Sequence, residues 1–261
     1  MIRAMRTAAS GMLAQQMQVD TIANNIANVN TAAFKRDQVS FRTALYRTFK
    51  EPGAATAGNF SNPTGLQIGS GVEIGSSLKL HIQGDLEQTN NPLDVAINGP
   101  GYFQVQLGNG EVRYTRDGTF RRDAEGTMVT QDGFRLNPQI NIRPGTTGIS
   151  IGQDGQVTGI TQNGDTQSIG EIQIFRFANE GGLRATGANL FQETLSSGAA
   201  EQSVPGEQGA GLLRQRFRER SNVQIVDELI ELIQAQRNYE VNSRTIRVGD
   251  EMLQQVGQLV S

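Results

Sequence analysis

The sequence predicts an α+β protein. Long N- and C-terminal helices form a coiled-coil domain around an inserted, mainly antiparallel β domain, with an extended linker. Three observations carry this: a helical apolar period near the N-terminus, a seven-residue apolar period near the C-terminus, and two-residue alternation between Gly-bearing turns in the middle.

At the N-terminus, Ile2, Met5, Ala9, Met12, Val19, Ala23 and Ile26 follow one another at helical spacings and line a narrow apolar seam. At the other end, Ile225, Leu232, Tyr239, Ile246, Leu253 and Val260 fall seven apart, a period that keeps a seam in line only when helices supercoil. As one helix, residues 221–261 span about 60 Å. Ser221, with Gln224 three residues on, reads as a capping box that starts this helix. The adjacent stripe of Leu229, Gln236, Ser243, Asp250 and Gly257 becomes polar or small, which suits a crowded multi-chain contact. Residues 1–50 carry seven Lys/Arg against two Asp/Glu, and residues 221–261 carry three against six, so opposite charges favour the two ends lying together.

Between the ends, residues 93–97 and 102–107 alternate as strands. Asn109-Gly110, Asp117-Gly118, Asp132-Gly133, Asp154-Gly155 and Asn163-Gly164 are tight-turn dipeptides that join a meander of hairpins. Residues 171–177 continue the alternation, with Ile172, Ile174 and Phe175 or Phe177 turned inward. Residues 51–77, rich in Pro and Gly, lack a sustained period and read as an extended connection. The expected domains are 1–35 with 221–261 for the helices, 36–84 for the linker and 85–220 for the β body.

Composition removes most chemistries. With no Cys and one His, thiol catalysis, disulfides and most transition-metal sites are excluded, and no cofactor is expected. The net charge of −3 argues against nucleic-acid binding. Residues 1–17 lack the continuous apolar core of a cleavable secretory signal, and no apolar run reaches the ~18 residues of a membrane span.

His81 lies in an alternating Leu-Lys-Leu-His-Ile run and reads as structural or surface-exposed. Gly69, Gly71 and Gly75 have the wrong spacing for a dinucleotide loop, and no helix pattern follows them. Asp117, Asp123, Glu125 and Asp132 could pair for glycoside hydrolysis, yet most sit at turns where Asp caps its own backbone. The run at 123–126 lacks the later acidic ligands of a calcium loop. Arg214, Arg216, Arg218 and Arg220 alternate along one side of a strand, as a solvated or inter-subunit salt-bridge face or as a contact for an anionic polymer.

Thr7-Ala-Ala-Ser-Gly-Met12, Ile22-Ala-Asn-Asn-Ile-Ala-Asn-Val-Asn-Thr31 and Phe34-Lys-Arg36 resemble the N-terminal segment of bacterial flagellar basal-body rod and hook proteins. Ser221-Asn-Val223, Ile233-Gln-Ala-Gln-Arg237 and Tyr239-Glu240 resemble that family's C-terminal helix. Asn91-Pro-Leu-Asp-Val-Ala-Ile97, Gly101-Tyr-Phe103 and Tyr114-Thr-Arg-Asp-Gly118 resemble its β body. The chain length and Gly65-Leu-Gln-Ile-Gly69 look most like the distal-rod branch. The chain departs from the family pattern at Ala33, where Gly is usual, at Arg6, where an aromatic is common, and at Arg216, Arg218 and Arg220.

The resemblance implies a structural, non-enzymatic subunit of the periplasm-spanning rod, exported by the flagellar secretion apparatus. Implied partners are further copies of itself in a helical homopolymer, proximal rod proteins, the hook protein, the periplasmic and outer-membrane rings, the rod cap or muramidase, and the export apparatus. Neither nucleic acid nor a small-molecule substrate is implied. The expected assembly interface comprises Ile2, Met5, Met12, Val19, Asn24, Asn25, Ile26 and Asn28 at one end, with Ile225, Leu229, Leu232, Tyr239, Ile246, Leu253 and Val260 at the other. The competing readings are a hook or proximal-rod subunit, a cell-wall glycan hydrolase, and a monomeric β-rich binding module whose terminal helices pair within one chain.

Overall fold

The computed structural model describes residues 2–52, 55, 56, 60, 61, 64–161 and 165–260, and for 55, 56, 60, 61, 256, 259 and 260 it describes the backbone alone. The fold is α+β, with a helix at each end and antiparallel strands between. Contacts divide the chain into two compact units, Met1–Ala27 with Asp37–Leu78 and Gln224–Ser261, and Asn28–Arg36 with Lys79–Val223.

The first unit holds helix α1, Ile2–Ala27, and helix α2, Ile225–Val260. Its strands pair as Asp37–Thr43 with Val72–Lys79, Arg47–Lys50 with Leu66–Ile68, and Ala55–Thr56 with Phe60–Ser61. Residues 51–77 are thus not one extended connection but include paired strands. Glycine, which hides the alternation in the sequence, is what lets the backbones approach: a Cβ on Gly75 would come within 3.2 Å of the Ser40 carbonyl oxygen. Gly53, Gly58 and Pro63 lie outside the described residues.

The expected capping box does not form. The helix starts at Ile225, where the Gln224 carbonyl accepts the first helical bond from the Glu228 amide, and the Ser221 hydroxyl instead accepts from the Val223 amide at 3.3 Å. A serine so close to its own backbone donors can close a local turn before the helix begins.

The second unit is built on a seven-stranded antiparallel sheet. Its order is Arg121–Arg122, Met128–Val129, Arg135–Asn137, Phe103–Gln106, Val112–Thr115, Leu190–Gln192 and Arg184–Gly187. Beside it are a three-stranded meander, Thr146–Ile151, Gln156–Thr161 and Thr166–Glu171, and three two-stranded ribbons. Gly110, Gly133 and Gly155 take φ of 85°, 84° and 90° in their turns, as the dipeptides predict. Gly118 serves differently, since a Cβ there would lie 1.7 Å from the Val95 carbonyl oxygen. Asn163-Gly164 lies outside the described residues.

One core is built around Val95, Phe103, Phe120, Leu136 and Ile174, and a second cluster holds Tyr102, Tyr114, Phe175, Phe177 and Phe191. Ile172, Ile174, Phe175 and Phe177 are all buried, because Ile172 and Ile174 pack into the first cluster and Phe175 and Phe177 into the second, one on each face of the chain.

A buried ion triad links the segment that leaves the first helix with the segment that returns to the second. Glu219, fully buried, accepts from Lys35 Nζ at 2.6 Å, Arg116 Nε at 2.8 Å and the Gly84 amide at 2.9 Å. Burial pushes the Glu219 carboxyl up, but Arg116 and Lys35 outweigh it and hold its pKa below the usual carboxylate range. The cations reach further acceptors: Lys35 donates to the Ile82 carbonyl, and Arg116 to the carbonyls of Ile97, Gly99 and Gly101. Ala33, where the family resemblance expects Gly, adopts φ 56° and donates its amide to the Glu219 carbonyl at 2.9 Å. Its left-handed geometry costs about 1–2 kcal/mol.

His81 is structural. Its Nδ1 lies 2.7 Å from the Tyr102 hydroxyl and its ring meets Phe191 edge-on at 5.2 Å. Burial, then Lys35, Lys79 and Arg116, lower its pKa to about 4, so the ring is neutral.

Two outcomes follow from these buried groups. Glu219→Gln leaves two buried cations without a counter-charge and is expected to cost about 3–5 kcal/mol in urea unfolding. Because the folded pKa of His81 is depressed, its contribution is whole above pH 6.5 and is lost as pH falls toward about 4. Stability should drop by up to about 1.4 kcal/mol per pH unit in that window. In His81→Gln the slope between pH 6.5 and 5 should flatten; an unchanged slope assigns the titration elsewhere.

Candidate assembly surface

The site begins with residues too small to be noticed as a seam. In α1, Ala8 and Ala14 are buried and Gly11 is half-buried; in α2, Ala235 and Gly249 are buried. A Cβ on Gly11 would come within 2.8 Å of Asn242 Nδ2, and one on Gly249 within 3.2 Å of Met5 Cγ. Gln18 Nε2 donates to Glu231 at 3.4 Å, and Asn25 Nδ2 to Glu228 at 3.2 Å. As α1 numbers rise, their α2 partners fall, so the helices run antiparallel within one chain. A glycine inside a helix costs about 1 kcal/mol relative to alanine. Here it permits the close approach.

The buried line of α2 passes through Glu228, Ala235, Asn242 and Gly249, seven apart like the apolar stripe but polar or small. Asn25 closes one end. Buried to 1% exposure, its side-chain amide accepts from the Asp37 amide and donates to the Asp37 carbonyl, both at 2.9 Å, as a paired strand would. Asn24 Nδ2 reaches Asp37 Oδ2 at 3.3 Å, while Asn28 accepts from Thr31 Oγ1 in its own turn. The Asn-rich run therefore organises its own chain.

Val226, Ile230, Ile233, Val241, Val248 and Met252 of α2 are between 44% and 69% exposed. At 100° per residue Val226, Ile230 and Ile233 cluster on the side turned away from α1, whereas Val241, Val248 and Met252 line a cleft together with Ala4 and Met5 of α1. On α1, Ile2, Leu13 and Met17 are exposed as well.

Three family models match the sequence: flagella basal body rod protein over residues 5–35, flagellar hook protein FlgE/F/G D1 domain over 96–159, and flagellar basal body rod FlgEFG protein C-terminal over 214–259. The chain is 46% identical to the flagellar basal-body rod protein FlgG of Caulobacter vibrioides, over 100% of both chains. It is 44% identical to FlgG of Buchnera aphidicola subsp. Schizaphis graminum, over 99% of this chain and 100% of the relative. Against FlgG of Bacillus subtilis the identity is 40% over 98% of each.

The chain belongs to the flagellar basal-body rod protein family.

As a rod-family member it is a structural protein of the flagellar basal body rather than an enzyme, and it assembles with rod and hook components. Two of the carboxylates raised for hydrolysis, Asp117 and Asp123, hold turns instead. Asp117 accepts from the Thr119 amide and hydroxyl at 3.0 and 2.7 Å, and Asp123 accepts from the Thr127 amide at 2.6 Å. Burial raises Asp117, and the Thr119 bonds oppose it. The cleft lined by Asn141, Arg143 and Gln167 carries one carboxylate, Glu125. Among the described residues no cluster of His, Asp and Glu could hold a metal. The Gly69–Gly75 region runs into the Val72–Lys79 strand, not a helix.

Other expected interface residues divide by exposure. Met5, Met12, Val19 and Ile26 are half-buried beside the small-residue line, as are Leu232, Ile246 and Leu253, whereas Ile2, Ile225, Leu229 and Tyr239 are exposed. The side chain of Val260 lies outside the described residues. The Arg row breaks at Arg216, whose φ of 61° separates Leu212–Gln215 from Phe217–Glu219. All four arginines are exposed, with Arg218 paired to Glu87 at 2.9 Å and Arg214 stacked on Phe217. Apolar periodicity missed Glu228, Ala235, Asn242 and Gly249; their seven-residue spacing was the available signal.

Substituting Gly11 separates close packing from helix propensity. Gly11→Ala should be near neutral, because a propensity gain of about 1 kcal/mol offsets a contact that the Asn242 side chain can relieve. Gly11→Leu should cost about 1–3 kcal/mol by forcing the helices apart. Thermal unfolding followed by helix circular dichroism distinguishes the two; a Leu variant as stable as the wild type would contradict the seam.

Proposed function

We propose that the chain is a subunit of the distal rod, and that it polymerises through its terminal helices into a hollow helical shaft that transmits torque between motor and hook. The observation that carries this reading is the outward face of α2 at Val226, Ile230 and Ile233. These exposed apolar side chains share one helix face turned away from α1, and such a face is stabilised by removal from water. A contact between this face and a different surface of the next copy does not close on itself, so repetition gives a helix.

In this reading α1 and α2 pair within each copy, and copies then pack their helix pairs together as a coiled-coil tube. Leu232, Ile246 and Leu253 act by seating α1 against α2. Ile225 and Tyr239 continue their line, with Tyr239 beside Gln16 and Val19 of α1, and Leu229 extends the outward surface. Pairing within one chain fits the polymer as well as it fits a monomeric module, since α2 has apolar residues on two faces. Family membership favours the polymer. Proximal rod proteins and the hook protein bound the shaft at its ends, ring proteins surround it, the cap or muramidase works at its growing tip, and the export apparatus supplies the subunits.

A paired substitution, Ile230→Asp with Ile233→Asp, tests this. The residues are half-exposed, so folding should change by less than about 1 kcal/mol, while sedimentable polymer should vanish across the concentration range where the wild type assembles. Polymers of normal yield from the variant would refute the outward face as an interface.

A further inference from the structure

The helical unit carries a cleft walled by cations. Arg3 and Arg6 of α1 and Arg47 of the Arg47–Lys50 strand line it together with Thr7, Ile68, Gly69 and Ser70. No carboxylate lines it, and among the described residues none of the three arginines makes an ion pair. Glu73, on the Val72–Lys79 strand, is taken by Arg42 at 3.0 Å. Like charges gathered on one cleft repel one another, a cost that an anion among them removes. The arginines are nonetheless seated there. The guanidinium carbons of Arg3 and Arg47 lie 4.9 and 5.4 Å from the centroid of one ring, Phe49, so a single aromatic side chain holds cations from two different elements. Guanidiniums positioned in advance lose less freedom when a ligand arrives.

We propose that this cleft binds a phosphoryl-type oxyanion, the terminal group of a phosphate or a phosphate monoester. Size, charge and donor chemistry each point there. The cleft measures about 130 Å³, well below the ~300–1,000 Å³ of pockets that enclose a drug-sized ligand, so the group it takes is small. A phosphoryl group carries about −1.5 to −2 near pH 7, and so neutralises more of the three guanidinium charges than a carboxylate does. Its terminal oxygens are acceptors, and every polar side chain lining the cleft can donate: the guanidiniums and the hydroxyls of Thr7 and Ser70. All the lining residues are exposed, so the anion enters directly from water. On or beside the same strands Leu45, Tyr46, Phe49, Leu66 and Ile68 are 46% to 89% exposed, so the group can arrive free or on a lipid headgroup. Once bound, it ties the first turns of α1 to the ribbon of Arg47–Lys50 and Leu66–Ile68. The inference goes beyond the assembly reading and does not depend on it.

Amide hydrogen exchange on the full chain tests the site, with inorganic phosphate replacing chloride at a constant ionic strength of about 0.1 M. Saturating phosphate should slow exchange at residues 6–10 and 47–50 at least about threefold. Arg3→Gln/Arg6→Gln/Arg47→Gln should lose that response while circular dichroism shows its helices intact. If the triple variant loses helix, Arg47→Gln alone, which lies outside α1, should still weaken phosphate binding several-fold. Phe49→Leu keeps every charge and should also weaken it several-fold, because two guanidiniums lose their common seat. Vesicles of phosphatidylcholine with and without phosphatidic acid separate the two sources. Slowed exchange with phosphate, and sedimentation with neither vesicle, assigns the free anion. Sedimentation with phosphatidic acid alone, lost in the arginine variants, assigns the lipid-borne group. The proposal is overturned by a wild type that responds to phosphate as it does to chloride and ignores phosphatidic acid, or by arginine variants that respond as the wild type does. Either result leaves the assembly reading standing.

Discussion

The rest of the structure depends on how closely two helices from opposite ends of one chain can approach. Ala8, Gly11 and Ala14 meet Ala235, Asn242 and Gly249 along a seam where a methyl group more would be felt. Small side chains bring helical backbones together, but they bury little apolar surface. The larger apolar residues are therefore left at the edges of the seam or on the far side of α2. A helix that turns its small residues inward and Val226, Ile230 and Ile233 outward is suited to a second contact, and this links sequence to assembly.

Polar groups fix the register of that seam. Asn25 uses both ends of its amide on the backbone of Asp37 and still donates to Glu228, so the Asp37–Thr43 strand is tied to both helices. In the other unit, Glu219 performs a comparable role between Lys35 and Arg116, and each cation is completed by backbone carbonyls. Buried charges so fully satisfied contribute specificity more than net stability. They define one arrangement of segments that lie far apart in sequence.

Much of this was legible in the residues. The terminal helices, the hairpin turns at Gly110, Gly133 and Gly155, and the inward Ile172 and Ile174 followed from periodicity and turn chemistry. The inner face of α2 did not, because Glu228, Ala235, Asn242 and Gly249 carry no apolar signal even though they repeat every seven residues. The strands within 51–77 were hidden by the glycines that permit their close pairing. The triad was also hidden: Lys35 and Glu219 are 184 residues apart, and only the fold brings them to 2.6 Å. The Arg row was legible as an exposed face, but not its interruption at Arg216, since nothing in a row of alternating arginines announces a left-handed φ.

A helical reconstruction of the assembled polymer tests the central claim most directly. The account predicts that Val226, Ile230 and Ile233 are covered by a neighbouring copy while Leu232, Ile246 and Leu253 stay against α1 of their own chain. A polymer in which that outward face lies open to solvent, or in which α1 and α2 of one copy have separated, would contradict it.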